Sequence, residues 1–518
     1  DLNYSNVRTI SENTELTASS LATTIQTYTN QLASTGGVLY FPEGSYYLTG
    51  TTKFADNVIW VGAGADKTKI YYHTTGEGGG SWLKANDVSN IGFARMTFTQ
   101  TQTTIDNGVY PDAVLGLNDT NTTISDGVID VSLQQSQNKF VSDVVFDFPL
   151  AVNDTQRRVC DFSGAKNFVF QNVQYMGGAY GISCGVYQYT NIRNAQFSCD
   201  ASNTVMNVHS NYAFLENVSY EKQYHGLGIS LRNNASISNS LVKNIGTAEE
   251  SANVGEPLVF EGASGYFQTG NIVTATNRTF TVEKTGGNDV NATTSSLRWG
   301  NFAVHIVSGK GVGQIRYFKR TPTETDTYEL LDSEEDWKVI PDSTSHYTII
   351  VPMHHATVYR FNAENCAKGL YLYSQLYDAV VAECKLVNTE GILLSSVASP
   401  QNGRINADSQ VRIVNNYVEG VSSGTNKGGI NIRLDTTYRS DSLGGVTYKG
   451  YGTYIQDVTV RGNTVVDATP SESFTGQTIS EQSTRCGIVV DYVGYYRADV
   501  NVSSDIGFIT VENNIQFI

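Results

Sequence analysis

Glu261, Asp435 and Asp491 are the carboxylates of this chain whose surroundings suit acid and base chemistry. They belong with short runs in which apolar residues alternate with others. Examples are Gly369-Leu-Tyr-Leu-Tyr, Gly391-Ile-Leu-Leu, Gly429-Ile-Asn-Ile-Arg-Leu and Gly487-Ile-Val-Val-Asp. A period of two over so few residues describes a half-buried strand. With Ile, Leu and Val facing inwards, the intervening positions face out. One outward ladder then carries Arg232, Glu261, Tyr371, Tyr373, Asn431, Arg433, Asp435 and Asp491, with His209 and His225 near its earlier turns. Two carboxyls, one protonated and one ionised, hydrolyse a glycosidic bond at about 5–5.5 Å separation with retention and about 6.5–9.5 Å with inversion. Strands about 4.8 Å apart bring residues one or two strands away within that reach. Glu261, Asp435 and Asp491 are therefore the expected catalytic residues.

Arg232 or Arg433 would keep a neighbouring carboxylate ionised or bind substrate oxygens. Tyr371 and Tyr373 offer ring faces and hydroxyls to a sugar, and His225 and Asn431 complete the expected substrate contacts. A plainer reading stands beside each: solvated carboxylates, an Arg433–Asp435 surface ion pair, tyrosines that only pack, and a structural histidine. No metal-ligand spacing, His-Glu-x-x-His, serine elbow or Cys–His signature is present. No cofactor is expected, although scattered Asp in a loop would suffice for a structural calcium. Gly309 to Gly313 lacks the Lys-Ser/Thr pair of a phosphate-binding loop.

These runs recur because the chain repeats. A hydrophobic-x-Asn motif, with an aromatic or apolar residue three places on, reads Phe170-Gln-Asn172, Ile192-Arg-Asn194, Leu215-Glu-Asn217 and Ile237-Ser-Asn239, spaced by 22, 23 and 22 residues. Weaker copies end at Asn415 and Asn513. Such a period is too short for a two-helix repeat and fits one coil of two or three strands. A single coil cannot bury its apolar row; stacked coils bury a continuous column. Asn at a fixed corner adopts the left-handed conformation and can stack into a side-chain ladder.

Ahead of the coils, Leu21, Ile25, Tyr28 and Leu32 have helical spacing, with Thr17 or Ser19 as N-cap. A helix there would cover the open end of a solenoid. The segment from this helix through Gly36-Gly-Val-Leu-Tyr-Phe-Pro-Glu-Gly-Ser-Tyr-Tyr-Leu48 resembles the opening of the pectate-lyase-like superfamily. The resemblance implies an all-β fold, a right-handed parallel β-helix, and action on polysaccharides. It does not choose among hydrolases, lyases, epimerases and phage tailspikes. Tyr224-His225-Gly226-Leu-Gly228 resembles the Gly-His-Gly element of polygalacturonase-like hydrolases, whose partner motifs are missing.

The expected organisation is an N-terminal segment and capping helix over 1–36 and a β-helix over 37–263. A β-rich insertion over 264–353 and a second β-helical part over 354–518 follow. Long loops are expected near 100–140, 436–454 and 469–485. The net charge of −16, from 34 basic and 50 acidic residues, argues against nucleic acid as a partner. No apolar run is long enough to span a membrane. The six cysteines lack CxxC spacing and read as core residues, with disulfide pairing left open. Together these features suggest an extracellular glycoside hydrolase acting on an oligo- or polysaccharide. The alternatives are a polysaccharide lyase and a glycan-binding tailspike or adhesin at a virion surface, monomeric or homotrimeric.

Overall fold

The structure is a computed structural model. It describes residues 6–74, 81–107, 113–116, 124–125, 128–129, 136–148, 158–163, 166–177, 180–185, 189–198, 206–209, 212–223, 228–231, 234–246, 255–261, 268–286, 302–320, 326–350, 352–373, 376–397, 407–420, 428–436, 442–443, 446–447, 454–466, 486–494 and 509–517. The chain forms two compact units, one of residues 1–123, 131–231 and 237–257, the other of 124–130, 232–236 and 258–518.

The first unit opens with helix α1 (Ala18–Leu32), whose N-cap is Thr17. Leu21, Ile25 and Leu32 are buried while Tyr28 is half-buried, as an apolar stripe at helical spacing requires. α1 packs against β1 (Gly37–Phe41) and the strand Gly44–Leu48. Next come β2 (Val58–Gly62), β3 (Ile91–Gln100), β4 (Lys139–Phe148), β5 (Phe168–Gly177), β6 (Thr190–Ser198) and β7 (Ala213–Gln223). From β1 to β7 each strand pairs in parallel with the next. Between them in sequence, strands from Ser81–Lys84 to Ile229–Leu231 build a second parallel sheet. Each coil thus contributes to both sheets, which is the expected parallel β-helix.

Register stacks like on like. Phe98, Phe146, Tyr175, Phe197 and Tyr220 form one column, none more than 2% exposed. Burying each such ring contributes about 1.5–3 kcal/mol. The repeated asparagines are the corners: Asn172, Asn194, Asn217 and Asn239 all have φ between 50° and 52°. Asn172 donates to Asp143 at 2.9 Å, Asn194 to Asn172 at 3.0 Å and Asn217 to Asn194 at 2.9 Å. The distant copies Asn415 and Asn513, in the second unit, are left-handed too.

In the second unit β8 (Leu258–Glu261) is followed by a closed antiparallel barrel. Its strands are β9 (Thr269–Ala275), β10 (Thr279–Gly286), β11 (Ala303–Ser308), β12 (Ile315–Arg320), β13 (Thr327–Leu330) and β14 (His346–Ile350), closed in the order β9, β10, β13, β12, β11, β14. Phe280, Phe318 and Tyr328 meet one another at 4.9–5.4 Å. Another barrel face, Ala303, Ile315 and Ile350, packs with Tyr317 and Tyr377. The parallel coils then resume as β15 (Leu370–Tyr373), β16 (Ile392–Val397), β17 (Gly428–Thr436) and β18 (Cys486–Gly494). β8 pairs directly with β15, so the barrel is inserted between neighbouring coils.

Candidate active site

The sheet β8-β15-β16-β17-β18 carries the expected site positions. Its strands start where they do because of glycine. A Cβ on Gly369 would lie 2.0 Å from the Gly391 carbonyl oxygen, and one on Gly391 would lie 2.1 Å from that of Gly429. Gly391 also has φ of +78°. Only glycine lets successive coils approach this closely. One face of the sheet is apolar core: Leu258, Leu370, Ile392 and Ile430 form one column and Phe260, Leu372, Leu394 and Ile432 the next, all 0% exposed.

The other parity is divided by register. Val259, Tyr371, Leu393, Asn431 and Val489 form one column; Glu261, Tyr373, Ser395, Arg433 and Asp491 form the next. Val397, Asp435 and Val493 form a third. Asp435 and Asp491 therefore sit on adjacent strands, two residues out of step. Glu261 lies four strands from Asp491 and three from Asp435, about 14–19 Å along the ladder.

Two expected surface contacts need correction. Tyr371 is 2% exposed and Asn431 0% exposed, so neither is an open sugar-binding face. Alternation marks them as outward, but residues early in the strands are covered on this side also, as Val259 and Leu393 show. Tyr373 is partly exposed. Both polar atoms of the Asn431 amide lack hydrogen-bond partners among the described residues. For Glu261, Arg433, Asp435 and Asp491 the structure gives strand and register only. His225 and Arg232 lie outside the described residues.

Lys368 and Glu390 escaped the sequence reading. Each immediately precedes the glycine that opens a coil strand, Gly369 and Gly391, and stacking brings the two side chains together. Lys368 Nζ donates to Glu390 Oε1 at 3.0 Å, and the Tyr371 hydroxyl donates to Glu390 Oε2. Glu390 is 1% exposed. A carboxylate taken out of water in this way needs its cation and donor. Their 22-residue separation, the period of the repeat, was the available signal.

The first unit carries a groove of about 620 Å³ whose polar lining includes Arg95, Asp143, Gln174 and Gln196. Arg95 donates to the Ala63 carbonyl at 2.7 Å and Asp143 accepts from Asn172, so both charged groups also serve the coil corners. Cys366 and Cys384 are buried and free; burial pushes the Cys384 thiol up to about 12. Among the described residues no group of three or more His, Cys, Asp or Glu is arranged to hold a metal ion. No helix there is long and apolar enough to cross a membrane.

Comparison with the curated proteins found no match. Among solved structures the chain is similar to the A-module of the mannuronan C-5 epimerase AlgE6 of Azotobacter vinelandii, at 12% identity and a TM-score of 0.43, with 96% of this chain and 95% of that one covered. It is also similar to the catalytic unit of a GH87 α-1,3-glucanase from Streptomyces thermodiastaticus, at 9% identity and 0.41, covering 93% and 67%. The Streptococcus pneumoniae surface adhesin PfbA aligns at 11% identity and 0.40, covering 96% and 93%. Residues 13–230 match the family described as rhamnogalacturonase A/epimerase, pectate lyase-like. With parallel coils, left-handed asparagine corners and a helix ahead of the first coils all observed within that stretch, residues 13–230 are a pectate-lyase-like parallel β-helix.

Proposed function

We propose that the chain is an extracellular glycan-degrading enzyme, a glycoside hydrolase with Asp435 and Asp491 as its acid and base. The supporting observation is their register. One strand apart and two residues offset, their backbones are about 8 Å from each other. Side chains carried by backbones that far apart can set their carboxyl groups at the about 6.5–9.5 Å that leaves room for a water molecule and gives inversion. Arg433, paired with Asp491 across the strands, binds substrate oxygens or keeps its neighbour ionised. Tyr373, in the same column, stacks on a sugar ring, with Tyr371, Glu390 and Lys368 packed beneath as support. Glu261 is too distant to share one linkage with either aspartate and contacts a sugar further along the chain. Digestion of a glycan panel, with product mass and anomeric configuration read by NMR, tests this. New reducing ends of inverted configuration are expected; their absence across the panel removes the hydrolase reading.

The alternative reading is a polysaccharide lyase. It needs a base such as Lys or Tyr beside an acidic sugar's carboxylate; Lys368 and Tyr371 are of that type, but both are covered and bound to Glu390. Ultraviolet absorbance of unsaturated products separates the two readings.

A further inference from the structure

In the first unit a second corner column precedes strands β2 to β7. Asn57, Asn90 and Asn138 occupy it with φ of 56–62°. Asn90 donates to Asn57 at 2.7 Å, Asn138 to Asn90 at 2.8 Å and Asn167 to Asn138 at 2.9 Å. The two following coils break this rule. The registers Phe168↔Thr190 and Thr190↔Ala213 place Tyr189 and Tyr212 where asparagine stood. Tyr189 keeps the left-handed backbone, with φ of 48°. A bulky side chain there is strained, and the amide ladder ends. The aromatic rings gained by this are not buried. Tyr189 is 48% exposed and Tyr212 37%, with parallel rings 4.9 Å apart.

Strain kept at an exposed position is a pointer to function. The surroundings specify a ligand. Phe214, two residues beyond Tyr212, is 44% exposed. Beside it in register, Asn191 holds a side-chain carbonyl oxygen that is shut from solvent and unpartnered among the described residues. The adjoining charges, Arg193 and Glu216, pair with each other at 3.8 Å. The surface thus offers aromatic faces and phenolic hydroxyls, with no unopposed charge among these groups. A sugar supplies apolar C–H faces and hydroxyl donors together. We propose that Tyr189, Tyr212 and Phe214 form an accessory binding surface for a neutral oligosaccharide, on a different sheet from the Asp435 and Asp491 positions. The ligand class rests on the glycan-active reading.

The test is affinity electrophoresis of the full chain in native gels containing hydroxyethyl cellulose, dextran or galactomannan, with polygalacturonate as the charged comparison. Retardation by at least one neutral polymer is expected, with an apparent Kd at least tenfold weaker in Y189N/Y212N. The same variant should melt no lower than the wild type, because asparagine relieves strain and extends the ladder. No retardation by any neutral polymer, equal retardation of the variant, or retardation by polygalacturonate alone overturns the proposal. So does a lower Tm in the variant with binding unchanged, which makes the tyrosines structural, or a dimer that the variant abolishes in size-exclusion chromatography. Binding is read apart from turnover: retardation with no cleaved product from any glycan of the panel sinks the hydrolase reading and leaves this surface standing.

Discussion

Acid should loosen the inserted barrel before it affects the coils, and His305 is the reason. This residue of β11 is 0% exposed, and neither ring nitrogen has a hydrogen-bond partner among the described residues. Its strand neighbours are Ile315 and Thr348, both buried. Burial lowers its pKa from 6.5 to about 4. Above pH 6.5 both folded and unfolded chains hold it neutral. As the pH falls below 6.5 the unfolded chain takes up a proton that the folded chain refuses until about pH 4. Stability is therefore present at neutral pH and is lost on acidification through that window, by about 3 kcal/mol from this residue alone. His354, 8% exposed against Tyr317 and Tyr377 beside the barrel, is lowered to about 3, chiefly by burial and then by His355, and acts in the same direction. The perturbation is His305→Leu, which keeps an apolar filling and removes the titration. The assay is urea unfolding at pH 7, 5.5 and 4, following the fluorescence of Trp337, 5% exposed against Phe280, with Trp337→Phe defining its component. The wild-type midpoint should fall with pH, and the variant should lose about 3 kcal/mol less over the same range. An equal fall in both proteins would refute the argument, as would a wild-type midpoint that does not move.

Other outcomes follow from the coil corners and the buried pair. Asn194→Ala should destabilise by about 2–3 kcal/mol in denaturant melts, since it strains a left-handed residue and severs two ladder bonds, whereas Asn194→Gly should lose only the bonds. Gly391→Ala should prevent soluble expression or lower stability by more than about 3 kcal/mol, because its Cβ overlaps the Gly429 carbonyl at a left-handed position. Lys368→Met should destabilise by about 3–5 kcal/mol by leaving Glu390 buried without its cation, and K368M/E390L should recover most of that loss.

The architecture was readable because its determinants are local and periodic. Asn172, Asn194 and Asn217 repeat at the coil length and each meets a conformational need that few side chains satisfy. Gly369, Gly391 and Gly429 open their strands for steric reasons that act at single positions. The site was less legible because it depends on stacking. Tyr371 and Asn431 obey the outward parity but are covered, and parity carries no information about cover. Lys368 and Glu390 meet only when one coil lies on the next. Tyr189 and Tyr212 occupy an asparagine column that cannot be recognised until register is known. Register likewise separates Glu261 from Asp435 and Asp491, residues that one outward ladder had grouped together.

The most direct measurement is initial cleavage rate on whichever glycan of the panel is degraded, for the wild type, Asp435→Asn and Asp491→Asn, with circular dichroism confirming that each is folded. Each variant should lose about 10²–10⁴-fold in kcat. Folded variants that cleave at the wild-type rate would show that the two aspartates brought together by strands β17 and β18 do not perform the chemistry.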